Sequence, residues 1–358
     1  MISLTLIKNK KFKIENRSLN KLKDDHCRLN ILASGICASD IPRAYDSMAY
    51  HYPLVLGHEF VGKITHIGKK VTKFSIGDVV SAFPLVPCCL SEKKTNICEY
   101  CNDEKFNLCN NYGYYGSRID GSFAENLDVN QWNLFKVSKN LPSEQSSLIE
   151  PMAVVFNIIS KFKNDLNNKK KVLILGAGFF GQILSRVLKK IARHHQVHIL
   201  DRNEFKLNLS KQYSNEQYLS SKKKGNLHLQ KELNSKFDIV IETTGNNECF
   251  KDAILFTKKD GKVFYSGNIN KSLFLKKNEV SDILRKQINI KGVWNSSFKS
   301  KNNNWKQAHS FLLGSKGFEE LISHETNLEN SAKLLDLINE MKKGKRKNNY
   351  VKGVIKNY

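Results

Sequence analysis

The segment 171–201 constrains this chain more than any other. The apolar run Lys171-Val-Leu-Ile-Leu175 leads directly into Gly176-Ala-Gly178-Phe-Phe-Gly181, residues 179–192 read as a helix, and residues 197–200 read as a second strand. That order is a βαβ unit. A G-x-G-x-x-G on its own carries little information, but between a strand and a helix each glycine has a physical reason: a tight turn, close approach of backbone to a pyrophosphate, and close helix–strand packing. The helix N-terminus then stabilises the phosphate charge. Asp201 ends the second strand at the spacing of a carboxylate that hydrogen-bonds the adenosine ribose hydroxyls. Its charge would repel a 2′-phosphate, which favours NAD, while the adjacent Arg202 leaves NADP open.

Around this unit the chain falls into three regions. Up to about residue 150, short β-like runs at 28–33, 62–67 and 78–82 alternate with Gly, Pro and Cys, as in an irregular, mostly β domain. From 152 to 294 further apolar strands follow at 238–241 and 262–265. From 295 to 358 the structure is mixed, with a helix predicted at 331–341 and a final strand at 350–355. At 358 residues, two domains are expected. With 40% hydrophobic and 26% charged residues the chain is globular.

Membrane and secretory classes are not indicated. The opening MISLTLIKNKKFK lacks the charged-then-apolar order of a signal peptide, and no apolar run approaches the roughly 20 residues of a membrane span. A cytoplasmic location is therefore expected, where eight cysteines serve as metal ligands or free thiols rather than disulfides. The formal net charge of +24 raises nucleic acid or anionic membrane as a partner. Against that, the lysines are scattered and interspersed with asparagines, and the densest runs, 169–171, 222–224 and 342–347, read as solvated loops or ends. No specific nucleic-acid or membrane partner is expected. The excess charge would still attract an anionic small molecule.

Metal chemistry is written in the first region. His58-Glu59 follows Gly57, with Cys37 upstream, and Gly62 at the fourth position after His58 excludes an H-E-x-x-H zinc helix. One thiolate, one carboxylate and a neutral imidazole make a net-neutral zinc site with an open position, suited to lowering the pKa of an alcohol. Farther on, Cys88, Cys89, Cys98, Cys101 and Cys109 fall within 22 residues. Four thiolates around a tetrahedral zinc leave no open position, so such a site is structural.

These motifs, in this order, resemble the zinc-containing medium-chain alcohol dehydrogenase family. The stretch Gly57-His-Glu59-x2-Gly62-x5-Gly68-x2-Val71 fits the family's zinc signature, and Gly77-Asp78 follows. Ser39-Asp-Ile-Pro-Arg43, Tyr52-Pro-Leu54, Gly116-Ser-Arg-Ile-Asp-Gly121 and Ile149-Glu-Pro151 are most similar to the galactitol-1-phosphate and sorbitol dehydrogenase branch. The resemblance implies a GroES-like catalytic domain, 1–151 completed by 295–358, and a Rossmann domain with a doubly wound parallel sheet at 152–294, the active site lying in the cleft. It implies hydride transfer between a secondary hydroxyl of a polyol or polyol phosphate and NAD, and association into a homo-oligomer. Cys37, His58, Glu59 and Glu150 would surround the catalytic zinc, with Glu59 and Glu150 competing, one direct and one through water. Adjacent His58 and Glu59 reach one ion only on irregular backbone, for which Gly57 provides a cause. Ser39 matches the hydroxyl relay and Asp40 the acid behind the metal.

Cys98, Cys101 and Cys109 match the family's last three structural ligands, but about seven inserted residues leave Cys88 or Cys89 as the first, Cys88 being favoured because it follows Pro87. Arg43 and Arg118 are candidate phosphate contacts, or else partners of Asp46 and Asp120. The alternatives are a threonine-type or simple alcohol dehydrogenase, or a non-catalytic polyanion binder on the same scaffold.

Overall fold

The computed structural model describes residues 1–357 apart from 91–96, 167–168, 194, 221–226, 270 and 300–302. The chain divides into two compact units, one formed by Met1–Val154 with the segment from Ser296 onward, the other by Val155–Asn295.

The second unit is built on a six-stranded sheet in which every pairing is parallel. Its strands, in spatial order, are Glu216–Leu219, Gln196–Asp201, Lys171–Leu175, Phe237–Glu242, Thr257–Tyr265 and Asn289–Gly292. Numbered along the chain this is 3-2-1-4-5-6, the order of the Rossmann fold. Val172, Leu173, Ile174 and Leu175 are all essentially inaccessible, as expected of a central parallel strand covered on both faces. The strand predicted at 171–175 has the same bounds in the structure, those at 197–200 and 238–241 gain one residue at each end, that at 262–265 starts five residues earlier, and the predicted helix spans Phe179–Ile191. Two strands carry no apolar run. Glu216–Leu219 and Asn289–Gly292 are the sheet edges, where most side chains remain accessible and little hydrophobic pattern is required.

The first unit is mostly β. A seven-stranded sheet centres on His26–Ile36, which pairs antiparallel with Glu59–Ile67, Asn126–Asn130 and Lys352–Lys356. The last of these is the predicted C-terminal strand, shifted by two residues at its start, and the helix before it spans Ser331–Lys342. A three-stranded sheet of Lys11–Asn16, Ile2–Lys8 and Leu54–Val55 lies in the same unit. Gly353 pairs with Ile36 and Gly35 with Glu59, so one strand register gathers the chain's end, Cys37 and Glu59 at one place.

Among the described residues no helix is long and apolar enough to cross a membrane. Of the basic runs, residues 342–347 are exposed and 222–224 lie outside the described residues.

Candidate functional site

Gly57 begins the first site. Its φ of +96° is a left-handed conformation, and a Cβ there would meet the Phe123 ring at 2.5 Å. The strand starts only at Glu59, so His58 lies outside the regular pleat and need not point away from its neighbour. One donor atom each from Cys37, His58 and Glu59 lie within 4.8 Å of one another.

Around these three, the second layer is dense. Asp40 is fully buried; its Oδ2 accepts from Cys37 N at 2.9 Å and its Oδ1 faces His58 Nδ1 at 3.6 Å. Neither Asp40 Oδ1 nor His58 Nδ1 has a hydrogen-bond partner. A small closing movement would make that bond, fix the tautomer and leave Nε2 as the metal-binding nitrogen. Ser39 Oγ donates to Cys37 Sγ at 3.3 Å and accepts from Arg43 Nη1 at 2.7 Å. Arg43 is thus committed to Ser39, with Asp40 Oδ1 at 3.7 Å, and does not pair with Asp46, which faces Lys343.

Glu150, buried at the start of the helix Ile149–Ser160, is outside the three-donor group. Burial, reinforced by Glu59 and Cys37 and opposed by His58 and Lys352, pushes its carboxyl up to about 8. Burial first, then Glu59 and Asp40, pushes the Cys37 thiol up to about 12. Fully ionised, Cys37, Asp40, Glu59 and Glu150 carry four negative charges against the two positive charges of Lys352 and Arg43. A divalent cation closes that balance, so the donor set fits zinc.

Lys352 was invisible in the sequence, one lysine among many. Its Nζ donates to Glu59 Oε2 and to Ile36 O at 3.1 Å, and both side chains of the ion pair are almost wholly buried. Gly35 clears the space, since a Cβ there would lie 2.6 Å from Glu59 Oε2. Tyr114 is a second addition: its ring packs edge-on against His58, with centroids 5.6 Å apart.

The cysteine lobe forms the second cluster. Donor sulfurs of Cys88, Cys98, Cys101 and Cys109 lie within 4.8 Å of one another. Cys88 Sγ is 3.6 Å from Cys101 Sγ, and Cys98 Sγ is 3.9 Å from Cys109 Sγ. Four sulfurs at Zn–S distances of about 2.3 Å in a tetrahedron stand ~3.8 Å apart, so the cage is already of zinc dimensions. Backbone N–H groups of Cys88 and Cys98 donate to Cys109 and Cys88 sulfurs, stabilising thiolates. Cys89 is outside the group, and most of the insertion, 91–96, lies outside the described residues.

In the second unit the three glycines differ in surroundings. Gly176 has φ +104°, and a Cβ there would strike Thr243 and Thr244; a Cβ on Gly181 would lie 1.8 Å from Gly176 O. Gly178 has nothing within 4 Å of that position. That open space before the 13-residue helix Phe179–Ile191 fits a pyrophosphate. Asp201 accepts from Ala177 N at 2.7 Å and Asn203 N at 2.8 Å, each oxygen retaining a lone pair for a ribose hydroxyl. Arg202 is exposed beside it.

Residues 23–139 match the alcohol dehydrogenase GroES-like domain and residues 181–314 the zinc-binding dehydrogenase domain. Galactitol 1-phosphate 5-dehydrogenase of Escherichia coli K12 is 30% identical over 315 residues, 86% of this chain and 87% of that protein. The chain belongs to the zinc-binding alcohol dehydrogenase family. It is an oxidoreductase of the medium-chain type, with a GroES-like domain and a Rossmann sheet. The crystal structure of galactitol-1-phosphate dehydrogenase from Escherichia coli matches with a TM-score of 0.88 at 26% identity, covering 100% of both chains. L-threonine 3-dehydrogenase of Pseudoalteromonas atlantica is 26% identical over 88% of this chain and 90% of its own.

Proposed function

We propose that this dehydrogenase oxidises a secondary hydroxyl of a polyol or polyol phosphate, galactitol 1-phosphate in type, to the ketose, with NAD as acceptor. The observation that carries the reading is the convergence of Cys37, His58 and Glu59 beside Ser39 and Asp40, in a chain 30% identical to a galactitol 1-phosphate 5-dehydrogenase. The catalytic domain is 1–151 completed by 295–358, and the nucleotide domain is 152–294. Cys37, His58 and Glu59 hold one zinc with Glu150 in reserve, and Cys88, Cys98, Cys101 and Cys109 hold a structural one. Bound there, zinc would supply the Lewis acidity that lowers the pKa of a substrate hydroxyl, and the nicotinamide would take the hydride. Asp40 holds the His58 ring in orientation. Arg43 anchors Ser39, whose hydroxyl carries the substrate proton outward. Gly176, Gly178 and Gly181 admit the pyrophosphate, and Asp201 binds the ribose hydroxyls. Copies of the chain associate into a homo-oligomer.

The test is an initial-rate panel of galactitol 1-phosphate, sorbitol and L-threonine with NAD⁺ and NADP⁺. The highest kcat/KM is expected on a polyol or its phosphate with NAD⁺; a higher value on threonine would reassign the substrate. Salt-sensitive polyanion binding without NADH formation would make the scaffold non-catalytic. Asp201→Ala should reduce the NAD⁺ over NADP⁺ preference by about tenfold or more, removing both a ribose hydrogen bond and a charge that repels the 2′-phosphate. Equal efficiency with the two cofactors in the unmodified enzyme would show that Arg202 governs the choice.

A further inference from the structure

Arg118 has no carboxylate partner among the described residues, although the sequence places Asp120 two residues away. Asp120 is taken: its Oδ2 accepts from Arg17 Nη1 and its Oδ1 from Val55 N, both at 2.8 Å. The Arg118 guanidinium instead lies over two rings, its Cζ 4.4 Å from the Tyr50 centroid and 4.2 Å from that of Tyr112. These two cation–π contacts restrain the group, and no hydrogen bond to another side chain occupies its N–H donors among the described residues. His51 sits against the mount, its Nδ1 3.1 Å from Pro53 O and its Nε2 3.3 Å from Arg118 O.

This mount is joined to the metal-ligand segment. A Cβ on Gly121 would lie 2.0 Å from Gly57 O and one on Gly116 2.5 Å from it, so the Arg118 loop packs directly on the residue before His58. Ser122 N donates to Gly57 O at 3.0 Å and Gly121 N to Val55 O at 2.8 Å. Rings continue the connection: Tyr112 meets Tyr114 at 6.3 Å between centroids, and Tyr114 meets His58 at 5.6 Å.

The geometry points to Arg118 as the anion-recognition residue of the substrate site, a rigid fork presented at a fixed offset from His58 for a phosphate monoester on the far end of the polyol. Arg43 is directed elsewhere, its Nη1 donating to Ser39 Oγ at 2.7 Å with Asp40 Oδ1 3.7 Å away. A planar fork binds two phosphate oxygens at once, and the surplus of 58 Lys and Arg over 34 Asp and Glu favours any anion approaching it. The inference rests on the polyol reading above and selects the phosphorylated member of that class.

The experiment uses the zinc-loaded full-length enzyme with galactitol 1-phosphate, galactitol and galactonate, and inorganic phosphate as a dead-end ligand. Arg118→Gln is expected to raise KM for galactitol 1-phosphate about tenfold more than for galactitol, with a smaller loss in Arg118→Lys. It should also raise the inhibition constant of inorganic phosphate by a similar factor. Equal losses on the phosphorylated and neutral polyol would overturn the inference, and so would phosphate inhibition that Arg118→Gln leaves unchanged. An Arg118-dependent preference for galactonate over galactitol 1-phosphate would overturn the phosphate assignment. Phosphate binding by isothermal titration needs no turnover. Arg118-dependent binding in an enzyme that oxidises none of the polyols would uphold the anion site and reject the polyol reading. Turnover of galactitol without any Arg118-dependent phosphate effect would do the reverse.

Discussion

Replacing Cys37 or His58 with alanine is expected to lower kcat/KM by about 10³-fold or more, equivalent to ~4 kcal/mol of lost transition-state stabilisation, while the protein stays folded. The three-donor group has no other cysteine or histidine, and a carboxylate taking the vacated position would change the charge and donor type of the site. Metal analysis should find about two zinc ions per chain in the unmodified protein and about one in each of these variants. Cys101→Ala should also retain about one, but its deficit should register as lowered thermal stability, because the four-sulfur cage closes the loop that carries it. A well-folded unmodified protein with a single tight zinc would remove the structural site from the account. Full activity in His58→Ala would remove the catalytic one.

Lys352→Met should destabilise the first unit by about 3–5 kcal/mol, because it leaves the Glu59 carboxylate buried without its cation. Side chains of this pair are 2% and 1% exposed, so water cannot take the place of the lost partner. The loss should be larger in chelator-treated protein, where zinc no longer offsets the Glu59 charge. Lys352→Met combined with Glu59→Gln should recover part of it, since a neutral pair leaves no orphaned charge. Thermal melts and chemical denaturation of the four species form the cycle. A change within about 0.5 kcal/mol for Lys352→Met alone would show that Glu59 is neutral in the folded protein or that another cation replaces the lysine.

Much of the fold was legible because its signals are local. The Gly176-x-Gly178-x-x-Gly181 turn depends on a positive φ at Gly176 and on the approach of Gly181 to Gly176 O five positions away, which spacing encodes, although the Gly176 clearance against Thr243 and Thr244 is tertiary. Central strands such as Lys171–Leu175 announce themselves as continuous apolar runs because both faces are covered. Edge strands Glu216–Leu219 and Asn289–Gly292 do not, since most of their side chains remain accessible. Of the two candidates for the first structural ligand, only the folded lobe distinguishes Cys88, whose sulfur lies within 4.8 Å of those of Cys98, Cys101 and Cys109, from its neighbour Cys89, which is outside that group.

The sequence by itself determined which chemical groups are available and in what local frames: a thiol, an imidazole and a carboxylate around Gly57, a four-cysteine lobe, and a phosphate turn. Tertiary structure decided their partners. Lys352 reaches Glu59 across 293 positions because its strand pairs with His26–Ile36 in a register that sets Gly353 against Ile36. Arg43 faces Ser39 rather than Asp46, and Arg118 faces Tyr50 and Tyr112 because Arg17, 103 positions from Asp120, has claimed that carboxylate. Motifs are fixed by short-range backbone geometry, which spacing encodes. The pairing of charges is a competition among every group that folding brings within reach, and no separation along the chain records who arrives first.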